Sequence, residues 1–214
     1  MTKLLVTVVM ATYNQAGYLR QALDSIRAQT LPYNDFEVIV INDGSTDGTS
    51  EILRGYEGWI RLIERENRGL VASCNEGLGL AQGCYFARLD SDDFVAPEWL
   101  ECLVDASQAN PKACCVYSDR YELCYGQWRY VKVQPNNLYT LQACGTLIRT
   151  NALRGAGGFR PFYWEEYDLY LRLRQVNEFA HVPRPLYMYR KHTDRMTYDA
   201  VSYTHLTLPT KRIV

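Results

Sequence analysis

At 214 residues the chain is long enough for one α/β domain with a sizeable core. Hydrophobic residues make up 47% and charged residues 22%, the balance of an ordinary soluble globular protein. The net charge of -1 argues against a surface built for nucleic acid or acidic membranes. Seven scattered cysteines, none in a CxxC pair, read as small buried hydrophobes in a reducing compartment rather than as a disulfide framework or zinc site. The apolar start of the chain is short and β-branched and carries no small-residue cleavage site, so it reads as a first strand rather than a signal peptide. No stretch approaches the roughly 20 apolar residues of a membrane span. A cytoplasmic protein is the expectation.

Taken in chain order, the first half alternates. LLVTVVMA (Leu4–Ala11) is a continuous apolar run, as a strand covered on both faces requires. Leu19, Leu23 and Ile26 are spaced for one helix face. FEVIVIND (Phe36–Asp43) is a second buried strand, and STDGTSEILRGY a helix opened by capping residues. WIRLIERE is a third strand, and GLVASCNEGLGLAQ a third helix weakened by Gly77 and Gly79. CYFARLD is a fourth strand, PEWLECLVDASQAN a helix with Pro97 at its first turn, and ACCVYSD a fifth strand. Strands alternating with helices predict a mostly parallel sheet with right-handed crossovers.

The second half is less regular. YELCYGQWRYVKV reads as a hairpin turning near Gly126, CGTLIRTNAL as a strand entering a helix, and EEYDLYLRLRQ as a helix. HVPRPLYMYRKH is extended, its prolines confining it to an edge or loop. Residues 1–200 read as one domain. Residues 201–214, VSYTHLTLPTKRIV, do not continue the pattern and read as a tail foreign to the fold, with a native extension as the alternative.

In open α/β sheets, ligands sit beyond the carboxyl ends of the strands. That rule gathers Ala11-Thr12-Tyr13, Asn42-Asp43 and Asp90-Ser91-Asp92-Asp93 along one crevice. The last group, within FARLDSDDF, places three carboxylates in four residues directly after an apolar run. Such crowding is costly unless a cation shares it. Asp90 and Asp92 are two apart, so on an extended segment they face one way.

VVMATYNQAGYLRQALDSIRAQT, EVIVINDGSTDGT, ENRGLVASCNEGLGLAQGCYFARLDSDD, GGFRPFYWEEYDLYLRL and LYMYRKHTDRMT occur in this order. Over about residues 4–197 the chain resembles the family 2 glycosyltransferases. The resemblance implies a single-domain, Rossmann-like GT-A fold, a mostly parallel central sheet flanked by helices. It implies inverting transfer from a nucleotide-diphosphate sugar, foremost a UDP-linked one, to a hydroxyl of a saccharide or lipid-linked acceptor, in cell-surface polysaccharide or glycoconjugate synthesis. A lipid-linked acceptor in a membrane would be met at the membrane surface.

The same resemblance implies roles for individual residues. Asp92 is a direct ligand of Mn²⁺ or Mg²⁺, and Asp90 contacts ribose or metal-bound water. Asp93 belongs to the acidic triplet or instead caps the helix near Pro97. Asp43 accepts a hydrogen bond from the nucleotide base, while an Asx turn or helix cap would occupy it locally. Thr12 and Tyr13 border the base or ribose, and Asn67 belongs to the same nucleotide-binding set. The family often has a basic residue where this chain has Cys74, so Arg68 or Arg88 would supply that charge instead. His192 approaches the diphosphate or the metal, which favours Mn²⁺, since Mg²⁺ prefers oxygen.

The base is expected where the family carries Asp. Here Glu166 aligns, one methylene longer, and Glu165 is the alternative. An extra methylene reaches about 1.5 Å further, and misplacement on that scale costs about 100-fold in rate. The aromatics of YGQWRY and FYWEEY are candidates for stacking on a sugar acceptor, or for the core. Glu166 and Cys74 also motivate a second reading, a non-catalytic nucleotide-sugar binder or partner subunit. A dinucleotide oxidoreductase is excluded because ATYNQAG, not GxGxxG, follows the first strand. A nucleotidylyltransferase would carry a Gly-rich basic loop there.

Overall fold

A computed structural model describes residues 4–192 except 125, 135–139, 143, 163 and 176. The first half runs β1 (Val6–Thr12), α1 (Ala16–Arg27), β2 (Phe36–Asp43), α2 (Thr49–Arg54), β3 (Arg61–Arg65), α3 (Leu70–Leu80), β4 (Tyr85–Arg88), β5 (Phe94–Val95) and α4 (Trp99–Ala109). The second runs β6 (Ala113–Cys124), β7 (Gln127–Val131), β8 (Thr146–Arg149), α5 (Thr150–Gly155), α6 (Glu165–Arg174) and β9 (Glu178–Lys191). Residues 193–214 lie outside the described residues, and with them the expected boundary at residue 200.

The strands form one sheet in the order β3-β2-β1-β4-β8-β6-β9-β5, with β7 added on β6. The first four are parallel, with Thr12 beside Asn42 and Val9 beside Arg88. The rest is mixed, which corrects the mostly parallel sheet expected from sequence. β8 inserts antiparallel between β4 and β6, while β9 runs parallel to β6 and antiparallel to β5. An apolar run reports burial on both faces, not strand direction, so β8 was read as a strand but its antiparallel place in the sheet was invisible. Nor is β9 an edge strand, because β6 and β5 flank it. Its prolines sit where the ladder is broken: Ser118 pairs with Val182 but Asp119 with Pro185, so β9 carries two extra residues there.

Alternation along the strands supplies two cores. Val6, Val8, Met10 and Val40 face α1 and α4 through Leu19, Leu23, Ile26, Trp99 and Leu103. Val9, Ile39 and Ile41 face Cys74 and Leu78 of α3, Leu153 of α5 and Leu169 and Leu173 of α6. Gly77, which sequence marks as a weakness of α3, is where that helix meets β1. A Cβ there would stand 2.4 Å from Val9 Cγ1. Gly79 has open space around it.

The two glycines should therefore respond oppositely to alanine. Gly77→Ala overpacks the contact with β1, at a cost of about 1–3 kcal/mol. Gly79→Ala should add about 0.5–1 kcal/mol through helix propensity. Thermal melts of the two variants against the parent protein test this, and equal effects would contradict the packing described.

Candidate active site

The parallel strands end together and open into a cavity of about 400 Å³. Thr12 and Tyr13 line it from the end of β1, Asp43 from the end of β2, and Asp90 and Asp92 from the segment after β4. Asn67 borders it from the loop before α3. The loops are braced against one another. Asn14 takes the left-handed conformation with φ 53°, its backbone N–H donates to Ser45 Oγ, and its Oδ1 accepts the Thr46 N–H at 2.8 Å. Asp47 Oδ2 in turn accepts the Ala16 N–H that opens α1.

Asp43 is 3% exposed. Its Oδ1 accepts the Arg68 N–H at 3.0 Å and pairs with Arg65 Nη1, and its Oδ2 accepts the Gly69 N–H at 2.7 Å. The carboxylate thus ties β2 to the entry of α3 rather than turning its own GST loop, whose Ser45 N–H goes to Asn42. Oδ2, which holds one donor, has a second lone pair, so a further donor can still be accepted from the cavity.

Arg88, the last residue of β4, is buried and lines the cavity. Its Nε and Nη2 reach the two oxygens of Asp90 at 2.6 and 3.2 Å, and its Nη1 reaches Glu165 Oε1 at 2.8 Å. Cys74 lies in the core beside this network, and burial pushes its thiol up to about 12. It is a neutral filler, so the cation facing this part of the cavity comes from β4. Arg68 contributes its backbone N–H to Asp43.

Asp92 Oδ2 stands 2.9 Å from His192 Nε2, and the His192 ring stacks on Tyr18 with centroids 4.7 Å apart. His192 Nδ1 is buried with no hydrogen-bond partner among the described residues. Burial raises the pKa of Asp92, and the charge of Asp90 adds to the rise. Asp93 does not cap α4. Its carboxylate accepts the Tyr187 hydroxyl and the Arg190 N–H, both at 2.7 Å, and so fastens β9 to the acidic segment. Residues 90–93 form a turn, closed by the Asp93 N–H on the Asp90 carbonyl at 3.1 Å, rather than the extended segment expected from sequence, and the Asp93 carboxylate lies within 4.8 Å of that of Asp90.

A crowded carboxylate, a second carboxylate and an imidazole fit a divalent cation that accepts oxygen and nitrogen ligands. Cys144 Sγ also lies within 4.8 Å of ligand atoms of Asp90 and Asp93. Burial raises its thiol pKa well above the ordinary value, and a thiol is not the ligating form.

Glu165 and Glu166 open α6 and both line the cavity. Burial, then the neighbouring Glu165 charge, raises Glu166 to about 7. Trp164, 43% exposed, lines the cavity just before them. Trp128 and Tyr130 of YGQWRY do not border the cavity. Trp128 packs edge-on against Phe94, and the Tyr130 hydroxyl bonds Asp119. The residues least legible in sequence are Arg88 in its double pairing and Ser73, Gln142 and Tyr189 on the cavity wall. One signal was available, since ARLD puts Arg88 and Asp90 two apart, on one side of a strand.

The fold is that of the GT-A class of α/β proteins. The model of the glycosyl transferase family 2 matches residues 7–166, and the chain belongs to that family. It is 43% identical over 101 residues to glycosyltransferase GlyA of Streptococcus pneumoniae, covering 46% of this chain and 14% of that protein. It is 27% identical over 203 residues to chondroitin synthase of Pasteurella multocida, covering 89% of this chain and 21% of that one. The chain thus spans a minor part of these relatives. Similar solved structures include S. aureus TarS in complex with UDP-GlcNAc, at TM-score 0.77 and 21% identity over 90% of this chain and 60% of that one. Another is the mannosyltransferase PcManGT of Pyrobaculum calidifontis with GDP-Man and Mn²⁺, at TM-score 0.67 and 23% identity over 92% of this chain and 59% of that one.

Neighbouring acids should respond oppositely to substitution. Asp93→Ala strips the buried Arg190 N–H of its acceptor, a loss of about 1–3 kcal/mol. Asp92→Asn removes a like charge from beside Asp90 and should raise the melting temperature of the metal-free protein. Thermal scans in chelator decide both, and destabilisation by Asp92→Asn would refute the crowding.

Proposed function

We propose that this domain is a metal-dependent inverting glycosyltransferase. It moves a sugar from a nucleotide-diphosphate donor, foremost a UDP-linked one, to a hydroxyl of a saccharide or lipid-linked acceptor. The product would belong to cell-surface polysaccharide or glycoconjugate synthesis. One observation carries the reading: a single cavity is lined by Thr12, Tyr13 and Asp43, by Asp90 and Asp92, and by Glu166. The complexes of TarS with UDP-GlcNAc and of PcManGT with GDP-Man and Mn²⁺ support the donor class and the metal, and the chondroitin and hyaluronan synthases among the relatives support a saccharide product. Among the described residues no helix is long and apolar enough to cross a membrane.

In this reading Asp43 accepts an N–H of the base, while Thr12, Tyr13 and Asn67 border base and ribose. Asp92, His192 and Asp90 would hold the divalent cation, which when bound offsets the negative charge growing on the departing diphosphate. Asp90 keeps an outward lone pair for ribose or a water ligand. Glu166 takes the proton of the acceptor hydroxyl as that oxygen bonds to the anomeric carbon from the face opposite the diphosphate. The bond from the anomeric carbon to the diphosphate oxygen breaks as the new one forms. The products are inverted glycoside, nucleoside diphosphate and protonated Glu166. Trp164 offers a ring at the acceptor end for the apolar face of a sugar.

A thermal-shift screen of UDP, GDP, TDP and CDP, with and without Mn²⁺, tests the donor site. UDP with Mn²⁺ should raise the melting temperature most, because a ligand bound only by the folded state stabilises it by mass action. Slow hydrolysis of a UDP-sugar should be abolished by chelation and by Asp92→Asn. No shift with any nucleotide would end this reading.

The base is tested by pH. A carboxylate base works only deprotonated. With Glu166 at about 7, kcat/KM should climb through neutrality and fall about tenfold per unit below it. Glu166→Gln should lower turnover by about 10²–10⁴-fold and remove that limb. An acid limb near the ordinary Glu range would assign the proton transfer to another group.

A further inference from the structure

An arginine at the end of an apolar strand is costly to bury unless its charge is paired and its N–H groups are used. Arg88 meets that condition with two carboxylates from different elements. Asp90 follows β4 and receives two of its N–H groups as a fork; Glu165 opens α6, lies 77 residues away in sequence, and receives a third. The reading above uses Asp90 on the donor side and Glu166 on the acceptor side. It leaves Arg88 without a task.

We propose that Arg88 is a positioning residue that couples the two sides, orienting Asp90 towards the donor and withholding Glu165 so that Glu166 alone takes the acceptor proton. This rests on the glycosyltransferase reading. The argument is geometric. Adjacent residues on a helix point about 100° apart. With Glu165 drawn onto the Arg88 guanidinium, Glu166 is turned to a different part of the cavity wall, and both carboxylates border that cavity. Glu165 already has a charged partner at 2.8 Å, so of the two it is the poorer proton acceptor. One planar guanidinium thus sets the distance between the end of β4 and the start of α6. Lysine would keep the charge but could not fork onto Asp90 while reaching Glu165.

The test uses UDP and Mn²⁺ as probes, with R88M, R88K, E165Q and E166Q beside the parent protein. Calorimetry reads the gain in UDP affinity that Mn²⁺ brings, which reports the Asp90 arm and needs no donor sugar. Turnover of the UDP-sugar hydrolysed fastest by the parent, at saturating Mn²⁺ and donor, reports the Glu165 arm. R88M should cut the Mn²⁺-linked gain about tenfold and kcat about 100-fold, the scale of an ångström of misplacement at the base. R88K should recover part of both losses. E165Q should lower kcat about tenfold and E166Q about 1,000-fold, while both keep the Mn²⁺-linked gain of the parent.

The signature is that Arg88 moves both readouts and each glutamate moves one. R88M changing only one readout, or E165Q costing as much as E166Q, would overturn the coupling while the glycosyltransferase reading stood. A parent protein that binds no UDP would overturn both. If R88M does not fold, R88K carries the test, since losing the fork should still lower both readouts together. An R88K protein matching the parent in both would overturn the proposal.

Discussion

Like charges gathered in a buried crevice need a cation among them, and between Asp90 and Glu165 this fold places Arg88. Asp90, Asp92 and Glu165 come together because strand ends and a helix start converge on one cavity. Without a buried guanidinium between Asp90 and Glu165, two carboxylates would face each other across the end of β4. Burial would then favour their protonation. The arginine satisfies Asp90 and Glu165 and leaves Asp92 crowded, its pKa raised. That residual imbalance, beside the His192 imidazole at 2.9 Å, is what supports the proposal of a divalent cation there.

The site depends in turn on how closely the layers approach. α3 reaches β1 only because Gly77 lacks a side chain, and α3 carries Ser73 into the cavity wall and Cys74 into the core beside Arg88. A larger residue at 77 would push that wall outward. Asn14 and Asp47 lock the β1 and β2 loops to each other and Asn42 closes the β2 loop on itself, so Tyr13 and Asp43 leave neighbouring strands at related heights. On the far side Asp93 holds β9, which leads to His192. Three adjacent acids thus divide their work: Asp93 supports the fold, Asp90 is held by Arg88, and Asp92 meets the histidine.

The first half was largely legible. Its strands are parallel and alternate with helices, so periodicity located β1 to β4, and the rule for strand ends gathered Thr12, Asp43 and Asp90 on one cavity. In the second half the hairpin, the strand entering a helix and α6 were read, but not how the strands pair. β8 enters the sheet antiparallel between β4 and β6, and β5 is two residues long, too short to leave a pattern. The aromatics of YGQWRY and FYWEEY looked equivalent in sequence. Among their described residues only the Trp164 ring lines the cavity, while Trp128 packs on Phe94.

What the sequence determined alone was local: strand and helix periods, the acids at a strand end, the family to which the ordered motifs point. Those signals arise within a few neighbouring residues, where backbone geometry sets which side chains share a face. The tertiary structure decided what the charges do. Glu165 and Glu166 are alike on paper, and so are Asp92 and Asp93. They differ because an arginine 77 residues away reaches one glutamate, and a histidine and a tyrosine of the last strand region reach different aspartates. The energy of a charge depends on its burial and on its partner, and both are supplied by chain that is distant in sequence.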